Sequence, residues 1–338
     1  MRAIGYQQSG PIDRADSLVD ITLPDPQATG RDLLVAVQAV SVNPVDTKVR
    51  VRAAPSAGEW KVLGWDAAGI VQAVGPEVTG FKPGDAVYYA GDLTRPGTNA
   101  ELHLVDERIV GRKPETLDWA EAAALPLTAL TAWEALFDRL DVEKPVPGAA
   151  PAVLIIGGAG GVGSIAIQLL RARTDLTVIA TASRPETQDW VRSLGAHHVI
   201  DHSKPIPEQV AALGLGAPAF VFSTTHTDMH LPAIVETIAP QGRFALIDDP
   251  AVLDVNPFKR KAVSVHWEFM FARSMYQTAD MGAQREILDA VATLVEKGEV
   301  RSTLTERLSP ITAAHLRHVH GLIESHKAQG KIVLEGWG

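Results

Sequence analysis

Val153-Leu154-Ile155-Ile156-Gly157-Gly158-Ala159-Gly160-Gly161-Val162-Gly163-Ser164 decides how this chain is read. Four apolar residues, three of them β-branched, run into a glycine cluster, and Ile165-Ala166-Ile167-Gln168-Leu169-Leu170-Arg171 follows as a good helix former. The order is strand, tight turn, helix. Gly158, Gly160 and Gly163 match G-x-G-x-x-G in the context that this spacing requires. Gly158 permits a sharp turn, Gly160 lets the backbone approach a pyrophosphate, and Gly163 lets helix and strand pack closely. Gly158, Ala159, Gly160, Gly161 and Val162 then form a cradle whose N–H groups, at the positive end of the helix dipole, face a diphosphate.

A lone glycine motif is weak evidence, but Leu176-Thr177-Val178-Ile179-Ala180-Thr181-Ala182 follows as a second strand at the spacing of a βαβ unit. It ends in Ser183-Arg184, where an NAD site carries an acid for the ribose 2′-hydroxyl. With no acid and an arginine present, the expected cofactor is NADPH, its 2′-phosphate met by Ser183 and Arg184 and also by His202. Strands and helices keep alternating beyond this point, the pattern of a parallel doubly wound sheet. Ser223 and Thr224 follow one strand and Asp248 another, at carboxyl ends where such sheets bind ligands. They complete the expected cofactor contacts of this half.

The first third has a different texture. Asp32–Val42, Ala67–Gly75 and Ala86–Ala90 read as short strands between turn signals such as Gly80-Phe81-Lys82-Pro83-Gly84-Asp85, which suggests a small barrel. Asn43-Pro44 stops the first of these strands. Leu127–Leu136 reads as an apolar helix, and Gln284–Lys297 and Ala313–Ser325 as amphipathic ones. The latter is expected to carry solvated histidines, and Lys331–Glu335 to be a final strand joining the N-terminal part.

Bulk properties narrow the function classes. A chain of 338 residues suggests two domains, and a net charge of −9 gives no electrostatic reason to bind nucleic acid or an anionic membrane. No apolar run approaches a membrane span, and the first residues read as a strand, so the expected location is cytoplasmic. The absence of cysteine excludes disulfides and thiolate metal sites.

Taken together, Ser41-Val42-Asn43-Pro44-Val45-Asp46, Gly64-Trp65-Asp66-Ala67-Ala68-Gly69, the Gly80–Val87 turn and strand, Pro126–Trp133, the Gly158–Gly163 turn and Gly330–Gly336 are highly specific. In these pieces the chain resembles the medium-chain dehydrogenases and reductases, in the zinc-free quinone oxidoreductase branch that includes zinc-type alcohol dehydrogenase-like proteins. The resemblance implies a Rossmann doubly wound parallel sheet, residues 125–270, and a GroES-like β-barrel domain built from residues 1–124 and 271–338. It also implies NADPH in a cleft and a homodimer. Zinc enzymes of the family would have ligands where Asn43 and Trp65 stand, so the resemblance implies no metal.

Asn43, Asp46 and Trp65 are the catalytic candidates; Thr128 and Lys331 join the cofactor contacts. Val265–Phe271 is aromatic and suits either a wall for a flat substrate or interface core. Without a metal, hydride addition to a conjugated acceptor is easier than to a simple ketone, because negative charge spreads through the conjugated system. The expected activity is NADPH-dependent reduction of quinones or α,β-unsaturated carbonyls. The alternative is a catalytically idle NADPH-binding protein that senses redox state or scaffolds a partner.

Overall fold

The computed structural model describes residues 1–338, which divide into two compact units, one of Met1–Leu130 with Phe271–Gly338 and one of Thr131–Met270.

The first unit begins with β1 (Arg2–Tyr6), β2 (Val19–Thr22), β3 (Asp32–Ser41), α1 (Pro44–Arg52), β4 (Lys61–Val62), β5 (Ala67–Val74), β6 (Ala86–Tyr89), β7 (Leu102–Asp106) and β8 (Val110–Arg112). β3 is its central strand. Leu33, Val35, Val37 and Ala39 alternate onto one face and are almost fully buried, as a period of two requires. Pro44 both ends the ladder and starts α1: it sits at the first helical position, where its missing N–H costs nothing, with Asn43 as N-cap. The short helix α2 (Trp119–Ala123) opens on a capping box formed by Asp118 and Glu121.

α3 (Pro126–Trp133) carries the chain into the second unit and continues as a π-helical stretch, Glu134–Arg139. The boundary lies at Leu130 rather than at the expected 124, because the start of α3 is tied back: Leu127 N–H donates to Asp66 at 2.7 Å. The second unit then runs β9 (Ala150–Ile156), α4 (Gly161–Arg173), β10 (Thr177–Thr181), α5 (Pro185–Ser193), β11 (His198–Ile200), α6 (Ile206–Ala212), β12 (Pro218–Ser223), α7 (Thr227–Thr237), β13 (Arg243–Leu246) and β14 (Ser264–Trp267). Its six strands are all parallel, in the order β11-β10-β9-β12-β13-β14. Parallel strands are covered on both faces, which is why Val153 to Ile156 form an unbroken buried run. One face packs Leu154, Ile156, Ile179, Val221 and Phe244 into a single cluster, each side chain contributing about 1.5–3 kcal/mol by leaving water.

The chain returns to the first unit with α8 (Ala272–Met275), α9 (Ala283–Glu296), β15 (Leu304–Leu308), α10 (Ala313–Glu324) and β16 (Lys331–Glu335). β16 pairs antiparallel with β3, Val333 opposite Ser41, so the last strand completes a seven-stranded sheet begun near the N-terminus. β1, β2 and β4 form a separate three-stranded sheet. On α10 the expected inward residues Leu316 and Val319 are buried, but so is His320; the expectation of solvated histidines fails there because Arg50 Nε donates to His320 Nδ1 at 3.3 Å.

Candidate functional site

β9 is flanked by β10 and β12, so its carboxyl end opens where the direction of strand succession reverses, the usual ligand position of an open parallel sheet. Gly157 takes the left-handed conformation there, φ +82°, and a Cβ on it would lie 2.4 Å from Thr224 Oγ1. Gly157 N–H donates to Thr181 Oγ1 at 3.0 Å, and Thr224 Oγ1 donates to the Ile156 carbonyl at 2.9 Å. The sharp turn therefore belongs to Gly157, not to Gly158 as the motif spacing suggests. Gly158 is demanded by packing instead, since a Cβ would sit 2.9 Å from that of Ala180. A Cβ on Gly163 would lie 2.4 Å from the Gly157 carbonyl oxygen, which fits its assigned role in helix–strand packing. Gly160 differs from both: its φ is −71° and the nearest atom to an added Cβ is 3.6 Å away. Nothing in the chain requires glycine there, whereas a ligand lying on the backbone would. Ala159, Gly160, Gly161 and Val162 remain partly exposed, and the N–H groups at the start of α4 precede its first internal bond. The cradle fits a diphosphate.

At the end of β10, Ser183 and Arg184 are half-buried, and Arg184 Nε pairs with Glu186 at 3.0 Å. His202 lies alongside. Its Nδ1 is 3.2 Å from Thr181 Oγ1, the same hydroxyl that holds Gly157, and its ring centroid is 6.0 Å from that of His230. Burial holds the His202 imidazole below its ordinary pKa. Thr181 holds the glycine turn and is not among the residues that the sequence singles out; a hydroxyl one strand over from the turn is its only signal.

Three other candidates of this unit have partners within the fold. Ser223 is fully buried, with its hydroxyl 2.7 Å from that of Thr227. Thr224 straps the glycine turn. Asp248 accepts Thr227 N–H at 2.8 Å and the Thr227 hydroxyl at 2.5 Å, closing the first turn of α7.

In the first unit the catalytic candidates come together, but facing each other. Asn43 donates from Nδ2 to Asp66 Oδ2 at 2.8 Å and accepts the Lys331 ammonium on Oδ1. Lys331 Nζ also donates to the Val42 carbonyl at 3.0 Å and pairs with Asp66 at 3.1 Å. Asp46 Oδ2 accepts Asn43 N–H at 2.8 Å, completing the capping box of α1. All four residues are at most 4% exposed. Burial pushes the Asp66 carboxyl up and the Lys331 ammonium down, each partly offset by the other. Burial also raises Asp46 to about 7, and its Oδ1 has no partner.

Five of the expected site residues therefore have partners within the fold. Asn43 and Asp46 are bonded to each other inside the fold, and Lys331 binds Asp66 and Asn43. Trp65 is 1% exposed, donates Nε1–H to the Asp92 carbonyl at 3.2 Å and packs edge-on against Phe271, so it does not present a polar atom to a ligand. Thr128 is buried, its hydroxyl donating to the Leu125 carbonyl at 3.0 Å. Tyr88 and Tyr89 are both buried, although strand alternation points them to opposite faces; their hydroxyls meet the Leu288 carbonyl and His103 respectively. The aromatic segment is split, with Trp267 and Phe269 exposed and Met270 and Phe271 buried.

Residues 29–115 match the model of the alcohol dehydrogenase GroES-like domain, and residues 161–283 that of the zinc-binding dehydrogenases. A zinc-type alcohol dehydrogenase-like protein of Staphylococcus aureus (strain MSSA476) is 38% identical over 339 residues, covering 99% of each chain. A 2-methylene-furan-3-one reductase of Solanum lycopersicum is 36% identical over 220 residues, 60% of this chain and 53% of its own. A solved structure from Rhizobium etli CFN 42, described as a zinc-dependent alcohol dehydrogenase protein, shares 68% identity at a TM-score of 0.99, covering 100% of this chain and 98% of that one.

The residues here do not fit a zinc ion of the kind those descriptions name. No group of three or more histidine, aspartate or glutamate side chains is placed to hold a metal. Asp66 already holds an internal cation, Asn43 offers an amide oxygen that Lys331 occupies, and the Trp65 indole has no lone pair to give. With its GroES-like unit and its six-stranded parallel unit, the chain belongs to the medium-chain dehydrogenase/reductase superfamily, a family of oxidoreductases.

Proposed function

We propose that this oxidoreductase uses NADPH to reduce quinones or α,β-unsaturated carbonyls without a metal ion. The observation that carries the reading is the turn from Gly157 to Gly163, where Gly160 leaves open space above the backbone, with an arginine and no acid at the end of the neighbouring strand. When bound, the nicotinamide supplies the hydride. The chain's own residues bind and orient. N–H groups at the start of α4 meet the diphosphate, and Ser183 and Arg184 flank the ribose. A 2′-phosphate would replace Glu186 as the anion beside Arg184, a charge-assisted exchange that NADH does not offer. A conjugated acceptor suits a site with no Lewis acid, because its developing charge is delocalised. The name of the Solanum relative, an enone reductase, supports this acceptor class.

The decisive experiment follows NADPH absorbance with a panel of quinones and enones. Consumption that depends on the acceptor supports the reading. Tight NADPH binding with no consumption across the panel favours the idle, redox-sensing alternative. One observation does favour that second reading: Asn43, Asp46 and Trp65 all direct their polar atoms inward.

We also propose a homodimer of small-molecule reductases with no nucleic-acid or membrane partner, working in the cytoplasm. No helix is long and apolar enough to cross a membrane. The edge strand β14 has no partner on its outer side, and Trp267 and Phe269 beside it are exposed, which supports self-association through that edge.

A further inference from the structure

The second unit contains a cavity of about 390 Å³ whose wall includes Arg139, Lys144, Arg243 and His266, the segment Pro145–Pro147, and a single carboxylate, Asp141. Its cations are held by the fold. The Arg243 guanidinium donates to the carbonyls of Leu140, Asp141 and Lys144, pairs with the Asp141 carboxylate at 3.7 Å and lies 4.9 Å over the Phe220 ring, which pins the loop to the sheet. Arg139 lies at the end of the π-helical stretch. Its Nε donates to the buried Glu268 at 2.9 Å, which fixes the guanidinium plane. Lys144 is exposed and pairs with no carboxylate. His266, on β14, has its Nε2 buried and without any partner. A buried ring nitrogen left unbonded costs free energy, and a ligand accepting or donating there would recover it.

Arg139 and Arg243 both depress the His266 imidazole, after burial itself. The wall thus carries more positive than negative charge beside a buried hydrogen-bonding atom that has no partner. The volume exceeds that of a bare inorganic ion, and the proline-lined side gives carbon atoms somewhere to lie. No residue of the glycine turn lines this cavity. We propose that it binds a small organic polyanion of the di- or tricarboxylate type, its oxygens meeting Arg139, Lys144 and His266 Nε2. The site is separate from the nucleotide cradle and does not rest on the activity proposed above.

The test titrates citrate, and separately inorganic phosphate, into the full-length protein while the imidazole resonances of His266 are followed by nuclear magnetic resonance. Lys144→Glu and Arg184→Ala serve as controls; both side chains lie outside the core, so both variants fold. The proposal expects a saturable His266 shift with citrate. In Lys144→Glu the affinity should fall by about tenfold, roughly 1.4 kcal/mol. Arg184→Ala should leave it unchanged. Binding of citrate without phosphate assigns the carbon skeleton a share of the recognition and supports the polycarboxylate class. Phosphate binding as tightly as citrate overturns that class. No saturable shift, the same affinity in Lys144→Glu, or loss of the effect in Arg184→Ala instead overturns the site.

Discussion

Lys331 and Asp66 illustrate what a buried charge asks of its neighbours. Each is nearly inaccessible, and each is satisfied by the other, by Asn43 and by backbone groups. Removing one partner leaves the other charged and unpaired, which typically costs about 3–5 kcal/mol. Lys331→Met should therefore lower the melting temperature sharply. Adding Asp66→Asn to it should recover much of the loss, since no lone charge remains. Calorimetry of the two variants checks this, and a double variant less stable than Lys331→Met would refute the pairing. Arg184, half-buried at the end of β10, is the complementary case. Arg184→Ala should raise the KM for NADPH and narrow its advantage over NADH, with the melting temperature barely moved. Steady-state kinetics with both cofactors measures it, and an unchanged ratio would remove Arg184 from the site.

α1 shows how an element terminus can acquire a pH dependence. Asp46 caps it through Asn43 N–H, yet burial lifts the carboxyl from 3.8 to about 7. The folded state keeps this proton where the unfolded chain has released it, so stability falls as pH rises from about 4 to about 7 and is level beyond. Asp46→Asn keeps an acceptor for the cap and removes the titration. The stability of the wild type relative to that variant should decline across this window, and parallel curves of melting temperature against pH would contradict it. The glycine turn allows a cleaner separation of fold from binding. Gly163→Ala forces a Cβ against backbone 2.4 Å away and should lower both stability and nucleotide affinity. Gly160→Ala meets nothing closer than 3.6 Å and should leave the melting temperature nearly unchanged while weakening NADPH about tenfold or more, about 1.4 kcal/mol. Calorimetric binding titrations on the two variants decide it.

These elements also show which information lay in the sequence. β9, its turn and α4 are legible because every cue is local: an apolar β-branched run, glycines, then helix formers. Lys331–Glu335 reads as a strand because Ile332, Val333 and Leu334 run together beyond the last helix, and it joins the N-terminal part by pairing with β3. The closed cluster was not legible. Asn43 and Lys331 each look like site residues when read singly, and only the pairing of β16 with β3 brings them together with Asp66. His320 reads as a solvated helix histidine for the same reason, since its partner Arg50 is 270 residues away. α1 hid behind a proline that reads as a strand stop and serves equally as a helix start.

For the molecule as a whole, the bare side of β14 is the feature that bears on assembly. In a parallel pair successive residues of one strand alternate in the side toward which they bond. Ser264 N–H donates inward to the Gly242 carbonyl and Glu268 N–H to that of Leu246, so the N–H groups of Val265 and Trp267 point to the open edge. An unpaired edge flanked by an exposed tryptophan and phenylalanine invites a second strand, and a second copy offers the same strand about a two-fold axis. Val265→Pro removes one outward donor and leaves the bonds to β13 intact. Sedimentation velocity at micromolar concentration should find the wild type dimeric and this variant monomeric, with the circular dichroism of both alike. A wild type that sediments as a monomer, or a proline variant that stays dimeric, would place the association elsewhere or remove it.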